Sequence, residues 1–187
     1  MTHRVCPWWL GYWLTCPLRR YGQDPHKILA PYVREGMTVL EPGPGMGFFT
    51  LELARLVGSS GRVVAVDVQR KMIERLKRRA AKAGLLDRVD ARVAPAESMG
   101  ITDLQDSADF TLAFAVVHEF PDAGRFFAEV AAASKPRATI LLAEPSGHVK
   151  AAAFDSELQA AAAAAAGLSL VDRPSIRRSH AALLKKS

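Results

Sequence analysis

Cysteine is nearly absent: the 187 residues contain two, Cys6 and Cys16. Two thiols cannot build a disulfide scaffold, and their spacing matches no zinc-ligand pattern. A small cross-linked secreted fold is therefore excluded, and a reducing compartment, the cytoplasm, is expected. No stretch stays apolar for the ~20 residues that a membrane-spanning helix needs. The longest candidate, Ala160–Ala166, is a helix-forming alanine run stopped by Gly167. There are no internal repeats, and that alanine run is the one low-complexity stretch. Aromatic residues make up 7% of the chain, yet all 3 tryptophans (Trp8, Trp9 and Trp13) stand near its start. Arg4 before the apolar stretch Val5–Leu14 has the outline of a secretion signal. Pro7, the tryptophans and the lack of a small-residue cleavage site argue against one.

What is present describes a globular domain with material for a sizeable core. Hydrophobic residues make up 49% and charged residues 24% of the sequence. Lysine and arginine number 25 against 19 acids, a net charge of +6, which keeps a small domain soluble and demands no polyanionic partner. Residues 1–23 form an aromatic segment ending in Arg19 and Arg20, and residues 24–187 form the domain proper. Asp24-Pro25 reads as a helix start, with Ile28, Leu29, Tyr32 and Val33 on its buried side. Strands are expected at Met37–Glu41, Arg62–Asp67, Val89–Val93, Asp109–Ala115, Ala138–Glu144, Leu168–Asp172 and Ser179–Leu184. Helices are expected at Phe48–Val57, Lys71–Ala83, Asp122–Ser134 and Ala151–Ala166. Strands alternating with helices imply a doubly wound α/β sheet, mostly parallel. The last two strands, with no helix between them, must pair antiparallel at its edge.

The strongest local signal is Val39-Leu40-Glu41-Pro42-Gly43-Pro44-Gly45-Met46-Gly47-Phe48. A strand ends, three glycines follow at alternate positions, and a helix begins. Without Cβ atoms the backbone can turn sharply and lie against a ligand. The dinucleotide fingerprint wants a small residue where Phe48 stands, so a pyrophosphate binder is disfavoured, and a phosphate loop of the G-x-x-x-x-G-K-[ST] type is absent. Asp67 closes the second strand about twenty residues beyond Gly47, where an acid can accept hydrogen bonds from both hydroxyls of a ribose. As a helix N-cap it would serve a purely structural end.

These residues resemble the class I S-adenosylmethionine-dependent methyltransferases, and among them the small type 11 branch that acts on small molecules. The resemblance rests on Glu41-x-Gly43-x-Gly45-x-Gly47, on Asp67, on Ala115–Asp122 (AVVHEFPD) after the fourth strand and on the two closing strands. It implies a Rossmann-like sheet of seven strands in the order 3-2-1-4-5-7-6. It implies S-adenosylmethionine as cofactor, with S-adenosylhomocysteine as product. Gly43 and Gly45 would approach the methionine and ribose portions, with Gly47 completing the loop, and Glu41 would organise the loop and the ammonium. Asp67 would take the ribose hydroxyls, Val68 would pack on adenine, Ala96 and Glu97 would border its edge, and Ala115 would offer backbone to the methionine end. The sequence departs from the family at Pro95, where an acid is common and where proline has neither an acceptor side chain nor an N–H.

On the acceptor side, ligands of open α/β sheets sit at the carboxyl ends of the strands, which brings forward His118, Glu119 and Glu144. His118 is the candidate base, with Glu119 beside it, because an imidazole titrates near neutrality. No metal is assigned, since these ligand types come from separate loops without helical spacing. Trp8, Trp9, Tyr12 and Trp13, with Glu144, are the candidate acceptor contacts. The rings form a lid suited to a flat or apolar small molecule, and contact with a membrane surface stays open. Two alternatives remain. The basic run from Arg70 to Lys82 allows an RNA methyltransferase, although no [NDS]-P-P-[YF] loop follows the fourth strand. Pro95 allows a non-catalytic module that binds S-adenosylmethionine. A nucleic-acid partner is not expected, and oligomeric state is not legible.

Overall fold

The computed structural model describes residues 22–95, 97–164 and 167–187. Seven strands form one sheet: β1 (Thr38–Pro42), β2 (Arg62–Asp67), β3 (Val89–Val93), β4 (Ala108–Phe114), β5 (Ser134–Pro145), β6 (Leu168–Asp172) and β7 (Ser179–Lys186). Their order is β3-β2-β1-β4-β5-β7-β6, as the resemblance implies. Among the described residues the α-helices are α1 (Pro25–Leu29), α2 (Thr50–Leu56), α3 (Arg70–Lys82), α4 (Ala123–Ala133) and α5 (Ala151–Ala164). The chain divides into two compact units, one up to Glu97 and one over Ser98–Ser187.

In the first unit β1, β2 and β3 run parallel, with Glu41 in register with Ala65 and Asp67 with Val93. A parallel strand covered on both faces needs an unbroken apolar run, and Val63–Val66 supplies one, buried throughout. Asp24 caps α1 by accepting from the backbone N–H groups of His26 and Lys27, and Pro25 occupies the first turn. Helix α3 lays Met72, Ile73, Leu76 and Ala80 against the strands and leaves Lys71, Lys77, Arg78 and Lys82 exposed. Helix α2 starts at Thr50 rather than Phe48: Phe48 and Phe49 are both buried and meet edge to face at 5.0 Å, a packing that takes them out of the helix.

In the second unit β4 and β5 are parallel, while β7 pairs antiparallel with both β5 and β6. Strand β5 begins at Ser134, four residues earlier than the alternation of side chains suggests. Pro136 cannot donate to a ladder, and a bulge between Ala108 and Phe110 in the β4 pairing accommodates that stretch, with Arg137 at φ 68°. Asp122 caps α4 by accepting from the Arg125 N–H. Phe126 is fully buried and stacks edge-on with Phe120 at 4.9 Å and with Phe127 at 5.2 Å. Truncating it leaves a cavity that rigid strands cannot fill. Phe126→Ala is expected to lower unfolding stability by about 3–5 kcal/mol, read as a fall in the urea midpoint at unchanged slope.

Candidate functional site

At the carboxyl end of β1 the chain makes three left-handed turns in five residues, at Gly43 (φ 66°), Gly45 (φ 53°) and Gly47 (φ 83°). The glycines serve different ends. A Cβ at Gly47 would strike the Leu76 side chain, so this glycine lets α3 pack against the loop, whereas a Cβ at Gly45 would meet nothing within 4 Å. Gly45 therefore presents bare backbone to open space, the surface that a ligand would fill. The loop is held by Gly43 N–H donating to the Val66 carbonyl (2.9 Å), Gly47 N–H to the Pro44 carbonyl (2.9 Å) and the Arg79 guanidinium to the Met46 carbonyl.

Two carboxyls flank this loop. Glu41 is 3% exposed, and its Oε2 has no hydrogen-bond partner among the described residues. Burial pushes its pKa up to about 8, with Thr50 opposing the shift and the Asp67 charge adding to it. Asp67 accepts from the Gln69 N–H at 2.8 Å, and burial raises it to about 6 against the lowering by the Gln69 and Gly45 amides. Val68 (42% exposed) and Val93 (39%) present apolar surface beside it. An orphaned carboxyl, a second accepting carboxyl, bare backbone and exposed valines fit a ligand with an ammonium, hydroxyl donors and an apolar ring. Pro95 and Glu97 are exposed, and Ala96 lies outside the described residues.

The second cluster belongs to the other unit. After β4, Ala115 takes φ 57°, a conformation that alanine rarely adopts, and donates its N–H to the Ala143 carbonyl at 2.7 Å. The turn it starts carries Val116–Glu119. Glu144, fully buried, accepts through Oε1 from the Val116 and Val117 N–H groups (3.2 and 2.8 Å) and through Oε2 from His118 Nδ1 (2.6 Å). A carboxylate can only accept, so Nδ1 carries the proton and Nε2 is the nitrogen that can take one. The Glu144 hydrogen bond raises the His118 pKa against the lowering effect of burial, and Glu119 and Glu157 add to the rise.

The expected residues thus gather as Glu41, Gly43, Gly45, Gly47, Asp67 and Val68 in one cluster, and as Ala115, His118, Glu119 and Glu144 in the other. Trp8, Trp9, Tyr12 and Trp13 lie outside the described residues. Three contributors escaped sequence reasoning. Arg79 looked like one more solvated cation of α3, and Thr50 like an ordinary helix residue. Glu157 carried the one readable signal, a carboxylate on the inner stripe of an alanine-rich helix.

Among known proteins, residues 33–175 match the Methyltransf_31 family model, described as a methyltransferase domain. The ubiquinone/menaquinone biosynthesis C-methyltransferase UbiE of Marinomonas sp. (strain MWYL1) is 31% identical over 120 residues, 64% of this chain and 47% of that protein. A cobalt-precorrin-6B C(15)-methyltransferase of Saccharolobus solfataricus is 40% identical over 57 residues, 30% of this chain and 29% of that protein. The chain spans under half the length of these curated relatives. Among solved structures, a SAM dependent methyltransferase from Aquifex aeolicus superposes with a TM-score of 0.83 at 22% identity, covering 97% of this chain and 98% of its own. A SAM-dependent O-methyltransferase from Thermotoga maritima gives a TM-score of 0.63 at 20% identity, over 87% of this chain and 64% of its own.

The buried Glu144 is the main cause of the raised His118 pKa. The pair stabilises the fold fully below the unfolded histidine value near ~6.5 and loses that contribution as pH rises through the higher folded value. Glu144→Gln keeps an oxygen for the two loop amides and removes the charge. The His118 titration followed by NMR is expected to move to lower pH in this variant, and an unmoved midpoint would show that the pair does not set it.

Proposed function

The chain belongs to this family of methyltransferase domains, and we propose that it transfers the methyl group of S-adenosylmethionine to a small molecule with a flat or apolar body. The observation that carries the reading is Glu41: a carboxyl sealed at the end of β1 with one oxygen unmatched, beside a bare-backbone loop. Leaving such a group unpaired costs roughly 1–3 kcal/mol, so a ligand that brings a donor is strongly favoured there.

When bound, the cofactor supplies an electrophilic methyl group on a sulfonium. Glu41 pairs with its ammonium, while Gly43 and Gly45 let the backbone come close. Asp67 accepts from the ribose hydroxyls, Val68 and Val93 pack on the adenine face, Glu97 borders its edge, and Ala115 offers backbone to the methionine end. Asp67 is not the N-cap of α3, a position that Gln69 takes; it accepts from the Gln69 N–H in the turn before the helix, a bond that the ribose role leaves in place.

On the acceptor side His118 Nε2 receives the proton that the acceptor sheds as it is methylated, and Glu119 and Glu144 stabilise the imidazolium so formed. Glu144 is enclosed and turned toward the loop and the imidazole, which suits it to orient His118 rather than to touch the acceptor. Trp8, Trp9, Tyr12 and Trp13, the acceptor contacts read from the sequence, have ring chemistry that suits a flat or apolar acceptor. A cytoplasmic setting, in keeping with a sequence that has only two cysteines, is part of the same reading.

Replacing Asp67 by alanine removes charge-assisted hydrogen bonds to the ribose. Asp67→Ala is expected to weaken S-adenosylmethionine binding by about 1.5–3 kcal/mol in calorimetry. A dissociation constant equal to the unmodified protein's would reduce Asp67 to a turn former.

A further inference from the structure

Helix α5 is 14 residues of mostly alanine with a single carboxylate turned inward. Phe154 and Ala161, each 1% exposed, mark its buried stripe, and Glu157 stands three residues after the first and four before the second, on the same face. The two polar residues that precede it have partners. Asp155 pairs with Arg173 at 3.0 Å, and the Ser156 hydroxyl donates to the Ala152 carbonyl at 3.0 Å. On α4, which packs against α5, Arg125 and Glu129 pair with each other at 3.2 Å, and Glu129 also accepts from the Met99 N–H. Glu157 Oε2 is buried and has no hydrogen-bond partner among the described residues. Phe154, one turn before Glu157, packs on the His180 ring at 5.7 Å, and His180 is the antiparallel register partner of Glu144, so this face of α5 lies over the end of β5, where the charges of Glu144 and His118 act on Glu157.

His118 is thus attended by three carboxyls, Glu144, Glu119 and Glu157, against its own single positive charge. Glu144 spends its oxygens on the imidazole and two loop amides, whereas Glu157 keeps one for something else. A neutral apolar acceptor would leave that oxygen unmatched, and an anionic one would be repelled.

We propose that Glu157 recognises the acceptor, and that the acceptor of the transfer proposed above carries an amine on its flat or apolar body. The assignment rests on reading this cluster as the acceptor side of a methyltransferase. The ammonium pairs with Glu157 and gives one proton to His118 Nε2. The nitrogen lone pair then forms the N–CH3 bond as the S–CH3 bond breaks. Its electrons stay on sulfur as a neutral thioether, the positive charge passes to the methylated nitrogen, and His118 returns its proton to solvent. The electrostatics favour this sequence. Burial and Glu144 hold the Glu157 pKa up to about 7, and an arriving cation lowers both that value and the value of His118. The arriving cation thus shifts the imidazole toward its neutral, proton-accepting form.

The test uses the full chain without cofactor and follows the His118 ring by NMR during titration with phenethylamine and with its neutral isostere 2-phenylethanol. Phenethylamine is expected to give a saturable shift, about tenfold weaker in Glu157→Gln, while 2-phenylethanol responds equally in both proteins. The His118 midpoint in the absence of probe is expected to move to lower pH in Glu157→Gln, a change that a packing role would not produce. The proposal is overturned if phenethylamine gives no saturable shift, if it binds no better than 2-phenylethanol, or if Glu157→Gln leaves its binding and the His118 midpoint unchanged. S-adenosylmethionine titrated into the same samples separates the two readings. Failure to bind it overturns the methyltransferase reading alone, and binding without amine discrimination overturns the role of Glu157 alone.

Discussion

A carboxyl group removed from water must find a donor, meet a cation or keep its proton, and each choice shows in its pKa and its hydrogen bonds. That constraint organises this protein. Glu144 has found donors, two amides and an imidazole, and its bond to His118 sets the tautomer of that ring. Asp67 has found the Gln69 amide and remains half open. Glu41 and Glu157 each keep one oxygen unmatched within the described residues, and burial drives both upward, to about 8 and about 7. A fold tolerates such groups where a ligand completes them.

The strands explain why the carboxyls stand where they do. Parallel strands covered on both faces read as continuous apolar runs, and polarity is admissible where the run ends. Val63–Val66 gives way to Asp67, Val39-Leu40 to Glu41, and Ile140–Ala143 to Glu144. In each unit a carboxyl at the end of a parallel strand thus stands near a left-handed backbone turn, the glycine loop after β1 in one and Ala115 after β4 in the other. The first unit's acids suit an ammonium and ribose hydroxyls. Those of the second act on the His118 imidazole.

Much of this was legible in the sequence because both signals are local. The spacing of Gly43, Gly45 and Gly47 and the position of Asp67 follow from backbone sterics, and the alternation of apolar runs follows from burial. The antiparallel ending of the sheet was readable because no helix separates β6 from β7. Contacts between distant residues were not readable. Nothing near Arg79 announces that it reaches back to Met46, and nothing around His118 names Glu144 as its partner 26 residues away. Strand β5 was read short because Pro136 signals a break that a bulge absorbs. The stacked Phe48 and Phe49 delay α2 for a reason that is tertiary, not helical.

If the sealed carboxyls at the strand ends are the donor site, S-adenosylmethionine must displace protons when it binds. At pH 7 a Glu41 that titrates near 8 is mostly protonated, and it must ionise to pair with an ammonium. Calorimetric titration at pH 7 in two buffers of different ionisation enthalpy measures this directly. The account predicts net proton release in the unmodified protein and its loss in Glu41→Gln. Binding enthalpies that are the same in both buffers would contradict it.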